Sequence, residues 1–369
     1  MYRSSWPLSP LHATADGHSI DVIDQTQLPH SLTWLSLESR DQIAHAIRTM
    51  VVRGAPLIGA CAAWGMAFAM AENAGDAHLD ESLAVLAGTR PTAVNLGWAL
   101  QRMERTLRPA AAAHRHLLAL AEARAIGAED VAQNARLGEH GLTLLRALHA
   151  RLQRRLQVLT HCNAGWLATL GWGTALAPVY LAQQAGIPVH VWVDETRPRN
   201  QGALTAWELR QAGVAHTFIP DNAGGHLMQH QQVDIVLVGA DRVSAAGDVC
   251  NKIGTYLKAL AAFDAGVPFY AAVPTPTIDW TIIDALREIP IEARSADEVA
   301  WVSGLDDQQV LRRVQIAPAG TAFGNPAFDV TPARLLSGII TEHGVIEPNA
   351  AGLAALRIRL EAQRAPSVG

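Results

Sequence analysis

Three polar stretches, each set directly behind a short apolar run, carry the side chains of this chain best suited to chemistry. The first is Thr160-His161-Cys162-Asn163-Ala164-Gly165. A thiol there, ahead of what reads as a Gly/Ala-rich helix start, would feel the positive end of a helix dipole. That lowers a thiol pKa and leaves backbone N–H groups free for an anion. The plain alternative is that Cys162 is a small buried hydrophobe. The second stretch, Asp194-Glu195-Thr196-Arg197-Pro198-Arg199-Asn200-Gln201-Gly202, is rich in groups that hydrogen-bond sugar hydroxyls; its alternative is a loop satisfied by internal salt bridges. The third begins at Gly239-Ala240-Asp241-Arg242 and continues into Gly247-Asp248-Val249-Cys250-Asn251-Lys252-Ile253-Gly254-Thr255. Asp241 ends an apolar run, where burial raises a carboxyl into the range useful for acid–base work, or where it only caps the next segment.

Lys252 and Lys258 are the only lysines; the other 27 of the 29 basic residues are Arg, so a lysine inside a polar motif needs a reason. Asn251, Lys252 and the Gly254-Thr255 turn together suit a phosphate. Other patterns are weaker. His226 and His230 have the i, i+4 spacing of a shared metal but no acidic cluster beside them, and read as surface histidines. His161 and Cys162 are adjacent, so on a strand they point to opposite faces and do not form a thiol–imidazole pair. The basic run RALHARLQRR near 146–155 reads as a solvated helix face. A nicotinamide dehydrogenase is excluded because no G-x-G-x-x-G follows a strand.

The elements that must hold these residues follow from periodicity. Apolar runs at Val158–Thr160, Val189–Val193, Thr217–Ile219, Ile235–Val238 and Phe269–Val273 alternate with helical segments, which predicts a parallel sheet with helices on both faces. In such sheets ligands bind beyond the C-terminal strand ends, where the three polar stretches begin. The first half reads differently. Residues 1–37 suggest a small hairpin or sheet. Ser39 and Gln42 have capping-box spacing ahead of a helical stripe of Ile43, Ile47, Met50 and Val51, ending at Arg53-Gly54. Pro56 opens the next helix, and helical patterns continue over about 79–87, 92–106, 110–125 and 128–155, with breaks at Gly88 and Pro91.

The chain of 369 residues has length for two domains and a composition, 49% hydrophobic and 17% charged, that builds cores. A net charge of −5 gives no general field for nucleic acid or an anionic membrane. Three widely spaced cysteines with no CxxC predict a reducing compartment without disulfides or a zinc ribbon. The first eighteen residues lack an apolar h-region, so no signal peptide is expected. The uncharged run Gly54–Ala71 is mostly Ala and Gly and reads as a buried core helix rather than a membrane span. A soluble protein is expected.

Together these segments resemble the methylthioribose-1-phosphate isomerase family, which is related to the regulatory subunits of the translation-initiation guanine-nucleotide exchange factor. The matching stretches are Asp24-Gln25-Thr26 with Leu28-Pro29, VVRGAPLIG (51–59), RPTAVNL (90–96), LTHCNAG (159–165), ETRPRNQG (195–202), VGADRV (238–243), GDVCNKIGTY (247–256) and NPAFDVTP (325–332). They occur in one order across nearly the whole chain. The resemblance implies that Cys162 and Asp241 are the catalytic pair and that Arg53, Gly54, Ala55, Arg90, Gln201, Asn251 and Lys252 hold a sugar phosphate. It implies an α/β chain with a small, mostly helical N-terminal domain (1–127) beside a Rossmann-like catalytic domain (128–369), acting in the cytoplasm as a homodimer without cofactor or metal. The implied reaction, in methionine salvage, converts 5-methylthioribose 1-phosphate to 5-methylthioribulose 1-phosphate. Asp241 would protonate the ring oxygen; Cys162 would either carry the C2 proton or stabilise a direct hydride shift. A ribose-1,5-bisphosphate isomerase and a non-catalytic regulatory subunit are the competing readings, and apolar content around Trp64, Met66 and Trp98 favours the methylthio substrate. The sequence departs from the family pattern at Ala246, Pro276 and Ala293, away from the implied site.

Overall fold

The computed structural model describes residues 8–90 and 93–364. Pro91 and Thr92 of the RPTAVNL segment, and the first seven residues of the stretch read for a signal peptide, lie outside the described residues.

The N-terminal region opens with an antiparallel sheet of β1 (Leu11–Ala13), β2 (Ile20–Ile23) and β3 (Trp34–Leu37) in that order. Helix α1 (Arg40–Arg48) starts at Ser39, whose hydroxyl accepts from the Gln42 N–H at 3.2 Å, while Gln42 accepts from the Glu38 N–H at 2.6 Å. This is a capping box whose return bond reaches one residue further out than the usual form. The helix ends five residues before Arg53, because Met50 turns into the left-handed region at φ 62°. Pro56 then sits in the first turn of α2 (Ala55–Glu72), as expected. This helix is long and apolar enough to cross a membrane by composition, but 78% of it is buried, packed by α1, α3 (Asp76–Ala87), α4 (Val94–Leu107) and α5 (Ala112–Leu152).

Helix α5 runs unbroken for 41 residues where the pattern predicts two helices. Gly127, in the gap between the two predicted segments, faces the Leu170 side chain, where tertiary packing outweighs the weak helix propensity of glycine. The division expected at 127/128 therefore falls inside a helix. The N-terminal core takes α5 side chains as far as Val131, and the next core takes them from Leu137 onward.

The C-terminal region continues with β4 (Leu156–Thr160), α6 (Ala177–Gln184), β5 (Val189–Asp194), α7 (Gln201–Gln211), β6 (Ala215–Ile219), α8 (Ala223–Gln229), β7 (Ile235–Val238), β8 (Arg242–Ser244), β9 (Val249–Lys252), α9 (Thr255–Asp264) and β10 (Phe269–Ala272). After these come β11 (Ile278–Asp279), α10 (Ala285–Glu288), α11 (Asp297–Ala300), β12 (Trp301–Leu305), β13 (Leu311–Gln315), β14 (Phe328–Thr331), β15 (Gly338–Thr341), β16 (Gly344–Ile346) and α12 (Ala350–Arg364). The main sheet has the order β16-β15-β10-β7-β4-β5-β6 and is parallel except for β16. Alternation fixes its two faces. Val158, Val191, Ile235 and Leu237 face α5, α6 and α7, while Leu159, Val236 and Val238 face α8, α9 and α12. A second sheet, β11-β8-β9-β14, and the hairpin β12-β13 stand above the C-terminal strand ends, and neither is announced by the sequence pattern.

Candidate functional site

Strands β4, β5 and β6 step outward in one direction; the chain then returns to place β7 on the other side of β4. The switch point between β4 and β7 is where an open parallel sheet leaves a crevice. Cys162 lies just past the end of β4 and Asp241 just past the end of β7, both partly accessible.

The opposite wall is the start of α2. Gly54 has φ 93°, and a Cβ there would stand 2.5 Å from the backbone of Ala168, so only glycine lets this turn lie so close. The resulting cleft, about 470 Å³, is lined by Arg53, Gly54, Ala55, Cys162, Asp241 and Asn251 among others. A second compartment of about 430 Å³ shares Ala55 and Asp241 and adds Arg90 with an apolar wall of Ile58, Ala93, Ile289 and Phe328. Lys252, on β9, reaches across the Phe328 ring at 4.7 Å. Gln201 opens α7 and lines the adjoining groove, which meets the cleft at Arg53; its Oε1 is buried without a hydrogen-bond partner.

Burial pushes the Cys162 thiol up; Arg53 and Lys252 oppose this and the Asp241 charge adds to it. The Asp241 carboxyl is also pushed up by burial, against Lys252, Arg90 and Arg53. Burial lowers the Lys252 ammonium, and Cys162 and Asp241 counter that. The expected effect of a helix dipole on Cys162 is overturned. Only a 3-10 turn at Trp166–Ala168 follows the cysteine, and α6 starts well beyond it, so the thiol gains no macrodipole.

The polar loop after β5 is largely paired, by side chains from other segments. Asp194 is fully buried and bonds His161 at 3.1 Å and Lys258 at 3.2 Å. Asp221 accepts from the Thr196 and Arg197 N–H groups, and Arg199 pairs with Glu298 at 2.7 Å. Asn200 and Gln201 of this loop both line the groove and keep a side-chain oxygen without a hydrogen-bond partner. Glu298 also pairs with Arg294, which pairs with Glu292, and Glu292 lies 3.4 Å from Arg90.

His161, Asp194 and Asp221 are close enough together to ligate a cation. The Lys258 ammonium already stands beside both carboxylates, and His161 spends its second nitrogen on the Ile253 carbonyl at 2.8 Å, so this is an ion-pair cluster that does not fit a metal. His226 and His230 stack on each other at 4.2 Å without a carboxylate between them. Trp64 and Met66 are buried in the N-terminal core away from the cleft, which corrects the expectation that they surround a methylthio group. Trp98 lines a neighbouring pocket, and the apolar wall beside Asp241 comes from Ile58, Ala93, Ile289 and Phe328. Sequence reasoning also missed Asn163, Thr205 and Glu208. Their signal was the stripe Gln201, Thr205, Glu208 on one face of α7, polar where a core-facing stripe is normally apolar.

Four similarities to known proteins bear on this site. A family profile, the initiation factor 2 subunit family, matches residues 51–348. The chain is 58% identical over 351 residues to a methylthioribose-1-phosphate isomerase of Methylorubrum extorquens, covering 95% of this chain and 96% of that one. Its structure superposes on a 5-methylthioribose 1-phosphate isomerase of Pyrococcus horikoshii with TM-score 0.82 and 37% identity, over 95% of this chain and 96% of the other. It also superposes on a translation initiation factor eIF-2B delta subunit of A. fulgidus with TM-score 0.76 and 37% identity, over 94% and 99%.

Proposed function

The chain belongs to the initiation factor 2 subunit family, and we propose that it is an aldose–ketose isomerase converting 5-methylthioribose 1-phosphate to 5-methylthioribulose 1-phosphate. The observation that carries this reading is the placement of Cys162 and Asp241 at one sheet crevice, facing Arg53 and Arg90, with an apolar wall beside Asp241. A binding module has no need of an acid raised by burial next to a thiol.

The substrate phosphate sits on the anomeric oxygen, so the ring cannot open by mutarotation. Asp241, protonated, gives its proton to the ring oxygen as the bond from that oxygen to C1 breaks. The cation left at C1 is conjugated to the phosphoryl oxygen. On one route the Cys162 thiolate takes the C2 proton, giving an enol, and returns it to C1 while the Asp241 carboxylate takes the C2 hydroxyl proton. On the other route the C2 hydrogen moves to C1 as hydride, Cys162 stabilises the adjacent cation, and Asp241 again collects the hydroxyl proton. Both routes end with Asp241 protonated and the atoms of the substrate conserved. Arg53, Arg90 and Lys252 hold the phosphate, with Asn251 and the Gly54 and Ala55 backbone beside it; Gln201 meets a sugar hydroxyl from the groove. The wall of Ile58, Ala93, Ile289 and Phe328 takes the methylthio substituent. A second phosphate at C5, as in ribose 1,5-bisphosphate, would lie against these apolar side chains, with Arg242 of the same compartment already paired to Asp279 at 3.5 Å. The assembly proposed from the resemblance is a homodimer, which light scattering after gel filtration checks.

Proton NMR of the purified protein with 5-methylthioribose 1-phosphate in D2O tests the reading. Ketose product is expected. Deuterium at C1 selects the enol route, and its absence the hydride shift or a shielded proton. No turnover of this substrate overturns the proposal; turnover of ribose 1,5-bisphosphate instead would reassign the substrate. The likeness to the eIF-2B delta structure favours a regulatory role if both sugars are inert.

A further inference from the structure

Glu208 stands outside the cleft, yet its hydrogen bonds lead into it. Its side chain is fully buried on α7, and each oxygen accepts twice. Oε1 takes the Asn163 amide N–H at 2.7 Å and the Leu167 N–H at 3.1 Å; Oε2 takes the Trp166 N–H at 2.9 Å and the Tyr180 hydroxyl at 2.8 Å. Gly165 packs directly over this carboxylate, where a Cβ would land on Oε2. One turn earlier, Thr205 accepts from the same Asn163 amide at 3.1 Å and donates to the Cys162 carbonyl at 2.8 Å.

These bonds decide which way Asn163 faces. Two acceptors claim its NH2 group, so its carbonyl oxygen must point the other way, toward Arg53. Arg53 donates to that oxygen at 2.6 Å and, from its other terminal nitrogen, to the Asn163 backbone carbonyl at 3.0 Å. We infer that Glu208 is a positioning residue: through Asn163 it fixes the direction of the Arg53 guanidinium and the path of the Cys162–Leu167 turn. The inference rests on the proposed role of Arg53 in holding the substrate phosphate. A carboxylate is needed because it only accepts. Glutamine has the same shape but would present an NH2 group to donors on one side, leaving buried donors unpaired and Asn163 free to flip.

The test compares wild type with Glu208→Gln by two readouts. The first is the rate at which a dicarbonyl reagent modifies Arg53, read by mass spectrometry. The buried Arg115, held by the Leu107, Ala110 and Ala74 carbonyls, serves as an internal control for intact folding. Arg53 is expected to react about tenfold faster in the variant, the loss of one hydrogen bond to a charged group, with Arg115 unchanged. Equal Arg53 rates overturn the inference whether or not the protein turns over substrate. The second readout is the split between KM and kcat: KM is expected to rise about tenfold, with no further rise when Glu208→Gln is added to Arg53→Ala. A full additional loss in the Arg53→Ala background overturns the inference. If Glu208→Gln does not fold, Asn163→Leu enters the same labelling comparison with the same expected and opposing outcomes. Absence of wild-type turnover counts against the isomerase reading and leaves the labelling result to decide this one.

Discussion

The carboxylate of Glu292 lies 3.4 Å from the guanidinium of Arg90, so an acidic side chain already stands where the proposed phosphate ligand presents its charge. Glu292 also pushes the Asp241 carboxyl up. Glu292→Gln removes both effects. Asp241 must be protonated to act as an acid, so activity is lost as pH rises through its pKa; lowering that pKa moves the alkaline limb of kcat/KM to lower pH. Inorganic phosphate should compete more strongly with substrate in the variant. A pH profile with an unmoved alkaline limb would show that Glu292 does not reach Asp241.

Asp241→Asn should lower kcat by about 10²–10⁴-fold, the usual contribution of a positioned general acid, with little change in substrate affinity. Single-turnover rates and equilibrium binding separate the two. Near-full activity would remove Asp241 from the acid role.

Gly54→Ala tests the close approach of α2 to the Trp166–Ala168 turn. The atoms a methyl would meet at 2.5 Å are backbone and cannot rotate away, and φ 93° is itself strained for alanine. The variant should lose roughly 3 kcal/mol or more of stability, read as a fall in Tm. An unchanged Tm would mean that the turn is mobile.

Asp130, on α5, is buried and bonds the Leu170 N–H at 2.8 Å, and burial pushes its carboxyl up to about 7. In the unfolded chain it titrates near 4, so between about pH 4 and 7 the folded protein keeps a proton that the unfolded chain has released. The stability this group contributes is full at low pH and is lost as pH rises through about 7, a decline on the order of 4 kcal/mol. Asp130→Asn should flatten that decline. Denaturant midpoints of the two proteins from pH 4 to 8 give the comparison; parallel curves would contradict it.

The five sheet strands at β4, β5, β6, β7 and β10 were legible because each is a short β-rich run with helical segments between, and a parallel sheet already directed attention to the residues just past their C-terminal ends, Cys162 and Asp241 among them. Other features were hidden for identifiable reasons. The 41-residue α5 was hidden by Gly127, whose cost is offset by packing that no local window contains. Strands β8, β9 and β14 are three or four residues long, and β9 carries Asn251 and Lys252 directly ahead of the Gly254-Thr255 turn, in a polar motif with no strand pattern. The polar loop after β5 invited a sugar-binding reading because its partners lie far along the chain: Glu298 for Arg199, Lys258 for Asp194. Charge pairing over such separations leaves no trace in spacing. Glu208 was missed for the opposite reason: one acid in a helix is ordinarily a solvent-facing residue, and only its place in the polar stripe with Gln201 and Thr205 marks it.

Helix α5 also sets the mechanics of the molecule. At 1.5 Å per residue its 41 residues make a beam of about 60 Å. One end is braced against α2 and α4, the other beneath α6, β15 and β16. The bank of the cleft that bears Arg53 and the bank that bears Asp241 are thus mounted on a common spar, with no linker to act as a joint. Widening the gap requires the spar to flex, and near its midpoint a bend of about 5° displaces the far end by roughly 3 Å. The stiffness of one helix thereby ties the position of Arg53 to that of Asp241.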